Sequence, residues 1–185
     1  KNLNKDGQSF FLAVNFINPH DIMYYNEEKS GTFGKATTAP DNPIYQKSYP
    51  TPLPSTINEP LDKEGRPSSH KEYHDSWESA TGPNPSSEAK WRSFRDYYFN
   101  CIQDCDNQVK QVLDYLEAND MMKNTIIVFT SDHGEMLGEH NMKGKAGNMY
   151  ENNIHVPLII YHPEYPGGRS CEHITSHLDL APTDR

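Results

Sequence analysis

Apolar positions along the chain fall into blocks separated by one long polar stretch. Phe10 to Ile17 is a near-continuous apolar run of strand length, rich in aromatic and branched residues and ended by Asn18-Pro19. An uninterrupted run of that kind predicts a strand covered on both faces. From Asp21 to about Ser87 no period is sustained, and prolines at 40, 43, 50, 52, 54, 60, 67, 83 and 85 predict an irregular excursion over 21–87. Unstructured loops beyond about 15 residues are uncommon in compact domains and usually serve as lids or binding loops. Next, Trp91, Phe94, Tyr98, Cys101, Ile102, Cys105, Val109, Val112, Leu113 and Leu116 recur at spacings of three and four, which predicts a long helix over 88–119. Ser86 or Ser87 caps its start, with Glu88 in the first turn, and Asn119-Asp120 ends it. Within 124–183, Thr125–Thr130 and Val156–Tyr161 read as two more buried-type strands, and Leu178–Pro182 reads as the start of another helix. A helix leading into such a strand is half of a right-handed βαβ unit, so the pattern predicts an α/β architecture with a mostly parallel sheet flanked by helices. Both ends read as cut from a larger fold, and residues 1–185 as part of a single domain.

Charge narrows the partners. With 17 Lys and Arg against 26 Asp and Glu, the formal net charge is −9, which opposes non-specific binding to nucleic acid or an anionic membrane. No apolar run approaches the roughly 18 residues of a bilayer span, and the first ten residues hold no apolar leader core. The reading is therefore of a soluble piece with no nucleic-acid and no membrane partner. The three cysteines, Cys101, Cys105 and Cys171, form neither an even disulfide framework nor a zinc pattern. Two of them lie on the helical stripe, where core packing and a paired metal site are both open. Tyr24, Tyr25, Tyr45, Tyr49, Tyr73 and Trp77 either line a substrate mouth or anchor the excursion to the body.

In open parallel sheets ligands gather beyond the carboxyl ends of the strands. The first strand ends in Asn18-Pro19-His20-Asp21 and the second in Ser131-Asp132-His133-Gly134-Glu135. On a turn with a following glycine, adjacent Asp and His converge on one cation, and oxygen with imidazole suits a transition metal or mixed site. The competing reading of Asp132-His133 is a helix-capping turn. His20 and His162 both follow predicted strands, so position alone does not separate them. Downstream, Lys143 and Lys145 stand among glycines. A lysine there brings a point charge to an anionic oxygen group, or is a solvated surface charge. The glycine-lysine spacing is not that of a P-loop, which argues against a nucleotide site.

The succession from Asn124 through Ser131-Asp132-His133-Gly134-Glu135 to Gly138-Glu139-His140, then Lys145, Tyr150-Glu151 and His155-Val156-Pro157-Leu158-Ile159-Ile160, resembles the sulfatase family. Phe10 to His20 is similar to the family's strand leading to a Pro-His pair. The helix through Tyr97 and Asp106 is similar to its long helix. The resemblance implies a partial alkaline-phosphatase-like fold and hydrolysis of sulfate esters with a divalent cation, usually calcium, with manganese or magnesium as alternatives. It assigns Asp132 and His133 to the metal. It assigns His20 to the leaving-group or sulfate oxygen and Lys145 to the sulfate, with Lys143 as the fallback.

Family members use a formylglycine nucleophile made from a Cys-x-Pro-x-Arg motif. No Cys or Ser here is followed by x-Pro-x-Arg, and the family's paired N-terminal aspartates are also absent. The chain is thus expected to be an internal portion of a longer protein, with the nucleophile upstream, and with a sulfate-ester substrate and the missing remainder of the same domain as partners. Alone it is expected to be inactive. Two alternatives stand beside this one. His133, which is Asn in many sulfatases, is shared with phosphonate and phosphodiester hydrolases of the same superfamily, and a non-catalytic binding protein would keep the fold without the nucleophile. The substrate's alcohol part and the compartment are left open.

Overall fold

A computed structural model describes residues 9–25, 32, 37–145 and 147–183. The chain enters through residues 9–17 without regular secondary structure and turns through a 3-10 helix at His20–Tyr24. No strand forms over 10–17 among the described residues, and Phe11 and Ile17 stand exposed. A strand needs a neighbour to take its N–H and C=O groups, and among the described residues none pairs with this run.

Residues 21–87, expected as irregular, contain a 14-residue helix, α1, at Ser68–Thr81. Pro67 precedes its first turn, and Gly82, at φ 98, ends it by returning its N–H to Glu78 O. Proline before and glycine after is the ordinary polarity of a helix. The signal was in the prolines themselves, which leave 68–82 clear between Pro67 and Pro83. A short 3-10 turn at Pro43–Gln46 is capped by the Asn42 side chain.

The second helix, α2, runs Glu88–Ala118 with the Ser87 side chain accepting from Lys90 N, as the stripe and cap predict. At 31 residues it is about 46 Å long. Its first half carries the core, where Trp91 and Phe94 close on Ile22, Tyr25 and Ile57, with Leu53, Tyr97, Tyr98 and Leu137 against them. Trp91 meets Phe94 edge-on at 5.6 Å, and Tyr25 stacks on Tyr97 at 4.3 Å. Cys101 is buried beneath this cluster and its thiol is pushed up to about 11 by burial, so it packs as a small apolar group. All three cysteines are free, and Cys171 is exposed.

Strand β1 spans Ile127–Thr130, helix α3 is one turn at Glu151–Ile154, strand β2 spans Leu158–Tyr161, and helix α4 follows at Leu180–Thr183. The strands pair antiparallel, Ile127 opposite Tyr161 and Thr130 opposite Leu158. This corrects the expected mostly parallel sheet: among the described residues the ladder is two-stranded and antiparallel. The chain leaves β1 at Thr130 and re-enters at Leu158, at the same end of the ladder, and no helix carries it to the far end as a parallel crossover requires. Among the described residues no helix is long and apolar enough to cross a membrane.

Candidate functional site

The site is built from the turn that follows β1, the loop 135–145, and the turn at His20. Gly134 donates its N–H to Asn153 O and Glu135 its N–H to Asn152 O, so α3 is pinned against the Asp132-His133 turn. A Cβ at Gly134 would lie 1.8 Å from Asn152 O, so only glycine permits that approach.

Asp132 reaches outward and is largely exposed, while His133 is half-buried beside it. His133 Nδ1 lies 2.9 Å from Gly134 O. A carbonyl only accepts, so Nδ1 carries a proton, and in that tautomer of the uncharged ring Nε2 is a lone pair. That Nε2 stands 3.4 Å from Asp132 Oδ2. In that tautomer the two lone-pair atoms fit a cation between or in front of them, and the backbone bond on the far nitrogen is the support that metal-ligating histidines use. Asp132 and His133 therefore fit a metal as two of its ligands. Among the described residues no group of three or more His, Cys, Asp or Glu gathers at one point.

The two candidate lysines part company. Both are almost fully buried, Lys143 at 2% exposed and Lys145 at 5%. Lys143 Nζ donates to Gly82 O at 2.6 Å and to Pro83 O at 3.1 Å, which closes the end of α1. Burial pulls its ammonium down to about 8, against the opposing pull of Glu78 and Glu135. Lys145 Nζ instead donates to the carbonyl of His20. Burial lowers its pKa too, and Glu135, Asp21 and Asp132 all act to keep it charged. Gly144 separates them: its φ of 91 turns the chain, and a Cβ there would lie 2.6 Å from the Trp77 ring. His20 itself is half-exposed, with Nδ1 2.9 Å from Asp21 Oδ1. Thus Lys145 links His20 to the neighbourhood of Asp132, and Lys143 does not belong to that group.

Glu135, which no pattern in the sequence marks out, braces this loop. It is buried, accepts from Gly144 N, and burial raises its pKa; Met136 N adds a bond to Gly144 O at 3.0 Å. The loop beyond is held from outside. Leu137, Gly138, His140 and Asn141 all have positive φ, a costly conformation for non-glycine residues that persists only where contacts over-determine it. Here Thr56 Oγ1 donates to Glu139 and accepts from His140 N, Arg66 donates to His140 O, and Glu59 takes His140 Nδ1 at 2.6 Å. Hydrogen bonds from Lys63 and His140 hold the Glu59 carboxyl down to about 2. The His140 ring stacks on Tyr150 at 4.2 Å.

His162 stays in its own turn, accepting from Glu164 N and packing on Tyr165. His177, which the strand-end argument overlooked, reaches back to Ser131 O at 2.8 Å. Of the aromatic residues in the excursion, Tyr25, Tyr45 and Tyr49 anchor it to α2, and Tyr73 and Trp77 pack against the lysine loop.

Comparisons with known proteins place the chain in a family. Arylsulfatase K of Xenopus laevis is 30% identical over 182 residues, covering 95% of this chain and 31% of the relative. The multifunctional alkaline phosphatase superfamily protein PehA of Trinickia caryophylli is 28% identical, covering 97% of this chain and 34% of its own length. Among solved structures, the phosphonate monoester hydrolase SpPMH from Silicibacter pomeroyi superposes with a TM-score of 0.57 at 27% identity, over 80% of this chain and 32% of that one. The chain thus spans about a third of the length of these relatives. The Sulfatase family model matches residues 1–183, and with the Asp-His turn and its lysine loop already in view, the chain belongs to the sulfatase family.

Proposed function

We propose that this chain supplies part of the active site of a metal-dependent sulfuric ester hydrolase whose formylglycine nucleophile lies outside these residues. One observation carries the reading: the Lys145 ammonium bonds the His20 carbonyl while standing in the field of Asp132. Two segments far apart in sequence, the turn at His20 and the stretch 132–145, meet there. Asp132 and His133 would hold a divalent cation, calcium first and manganese or magnesium next, which supplies polarisation of a sulfate oxygen.

Lys145 is charged at a cost, being buried, and the surrounding carboxylates offset that cost. A fixed cation in a desolvated place is effective against charge developing on an ester oxygen, because nothing has to reorganise during reaction. His20 gives its Nδ1 to Asp21, which leaves Nε2 for a substrate. A proton on that Nε2, with Asp21 balancing the ring charge, is positioned for transfer to the departing alkoxide. Lys143 is spent on backbone carbonyls and takes no part.

The test uses the full-length protein on matched aryl sulfate and phosphonate esters. Sulfate turnover is expected to dominate, and Lys145→Ala is expected to lower kcat/KM by about 10²–10³. An unchanged kcat/KM in Lys145→Ala and His20→Ala would remove both roles. A specific observation favours a second reading, phosphonate or phosphodiester hydrolysis: an imidazole, His133, stands beside Asp132, and faster phosphonate turnover would establish it. Sulfate binding without turnover of either ester would mark a non-catalytic binder.

A further inference from the structure

Two residues before His20, the Asn18 amide is held by a three-membered network. Tyr45 OH donates to Asp104 Oδ2 at 2.9 Å, and Asn18 Nδ2 lies 3.3 Å from that same oxygen and 3.3 Å from Tyr45 OH. The three side chains come from the entry turn, the 3-10 turn Pro43–Gln46 and the middle of α2. Among the described residues Asp104 makes no ion pair. Its carboxylate accepts from a phenol and an amide, which fixes directions more narrowly than a mobile ammonium would. The phenol stays a donor, for burial and the bond to Asp104 push Tyr45 up to about 12.

The same network continues past His20. The Tyr45 ring lies 5.7 Å from Tyr97, and Tyr97 stacks on Tyr25, which closes the His20–Tyr24 turn. The turn is therefore gripped before and after the histidine, with Lys145 on the His20 carbonyl between. The imidazole is 49% exposed, and among the described residues its one side-chain hydrogen bond is to Asp21. A side chain so lightly held takes its aim from the backbone that carries it, and displacements near 1 Å at a reacting group cost on the order of a hundredfold in rate.

We infer that Asp104 and Tyr45 are positioning residues for His20, acting through Asn18; the inference rests on the proposed role of His20 at the leaving oxygen. They touch neither substrate nor metal. Their effect is to fix where the His20 ring meets the alkoxide, so it should appear in turnover and not in substrate binding.

The experiment is a double-mutant cycle in the full-length protein, using sulfate esters with one good and one poor leaving group. Tyr45→Phe, which keeps the ring on Tyr97, and Asp104→Asn are each expected to lower kcat about tenfold, with the larger loss on the poor leaving group and little change in KM. In a His20→Ala background either substitution should cost less than about twofold, since residues acting as a unit are not additive. Equal losses in both backgrounds, losses confined to KM, or unchanged rates overturn the inference while leaving the role of His20 standing. A His20→Ala variant with undiminished turnover overturns both. If Asp104→Asn fails to fold, the Tyr45→Phe cycle decides the outcome alone.

Discussion

Two regions on either side of the Asp132-His133 turn are built on opposite rules. In the loop 135–145, three charged residues are buried and hydrogen-bonded: Lys143 to two carbonyls, Lys145 to a third, Glu135 through one carboxylate oxygen to Gly144 N, with Met136 and Met142 fully enclosed around them. In the β1–β2 ladder the apolar residues face outward. Val128, Phe129, Leu158, Ile159 and Ile160 are all exposed, and Ile159 is 61% so. The loop is completed by residues of this chain. The ladder is apolar on both faces, which in a finished domain belongs under cover on both sides. The chain spans about a third of its relatives' length, and in a protein of that length the remaining residues would be available as the cover.

The largest effect expected from this contrast is on the isolated 185 residues. With the ladder open, they should bind an apolar dye strongly and show no sulfate ester turnover above that of a His20→Ala, Lys145→Ala double variant. Turnover clearly above that variant would show the site to be complete without further chain.

A smaller effect separates open from covered surface directly. Ile159→Glu should change the stability of the isolated chain by no more than about 0.5 kcal/mol, as at other exposed positions. In the full-length protein it should cost about 3 kcal/mol or more by burying an unpaired carboxylate. Equal effects in both, read from urea midpoints, would break the comparison.

On the loop side the sharper probe is pH. Lys143 titrates near 8 when folded, below its ordinary 10.5. Between those values the unfolded chain binds more protons than the folded one, so stability rises with pH across that window. Relative to Lys143→Met, the full-length protein should gain about 3 kcal/mol from pH 8 to pH 10.5. Taking the difference removes the opposing tendency of Cys101 and Tyr45, whose raised values favour the fold less as pH climbs. A flat difference would mean that the buried ammonium is not held as the geometry indicates.

Much of this was legible in the chain before it was folded. The long helix declared itself because an amphipathic stripe over 31 residues repeats a local period many times. The first apolar run did not become a strand, because strand formation depends on a neighbour that local sequence does not contain. Helix α1 escaped the pattern because its apolar side is only Tyr73, Trp77 and little else, and its boundaries were written in proline and glycine instead.

The sequence by itself determined the chemistry on offer: an Asp-His turn after a buried-type strand, a histidine after Asn18-Pro19, two lysines among glycines, and a family whose motif joins them. These are local or ordered features, and a one-dimensional pattern preserves them. Only the tertiary structure decided which lysine stands with His20. Lys143 and Lys145 are alike in type, burial and neighbours along the chain, and they part because Gly144 turns at φ 91 against Trp77, a contact made by a helix some seventy residues earlier. It also decided that Asp104, one carboxylate among several on a helix, closes a network on Asn18. Burial and partnership are properties of contacts between distant segments, and those contacts exist only once the chain has folded.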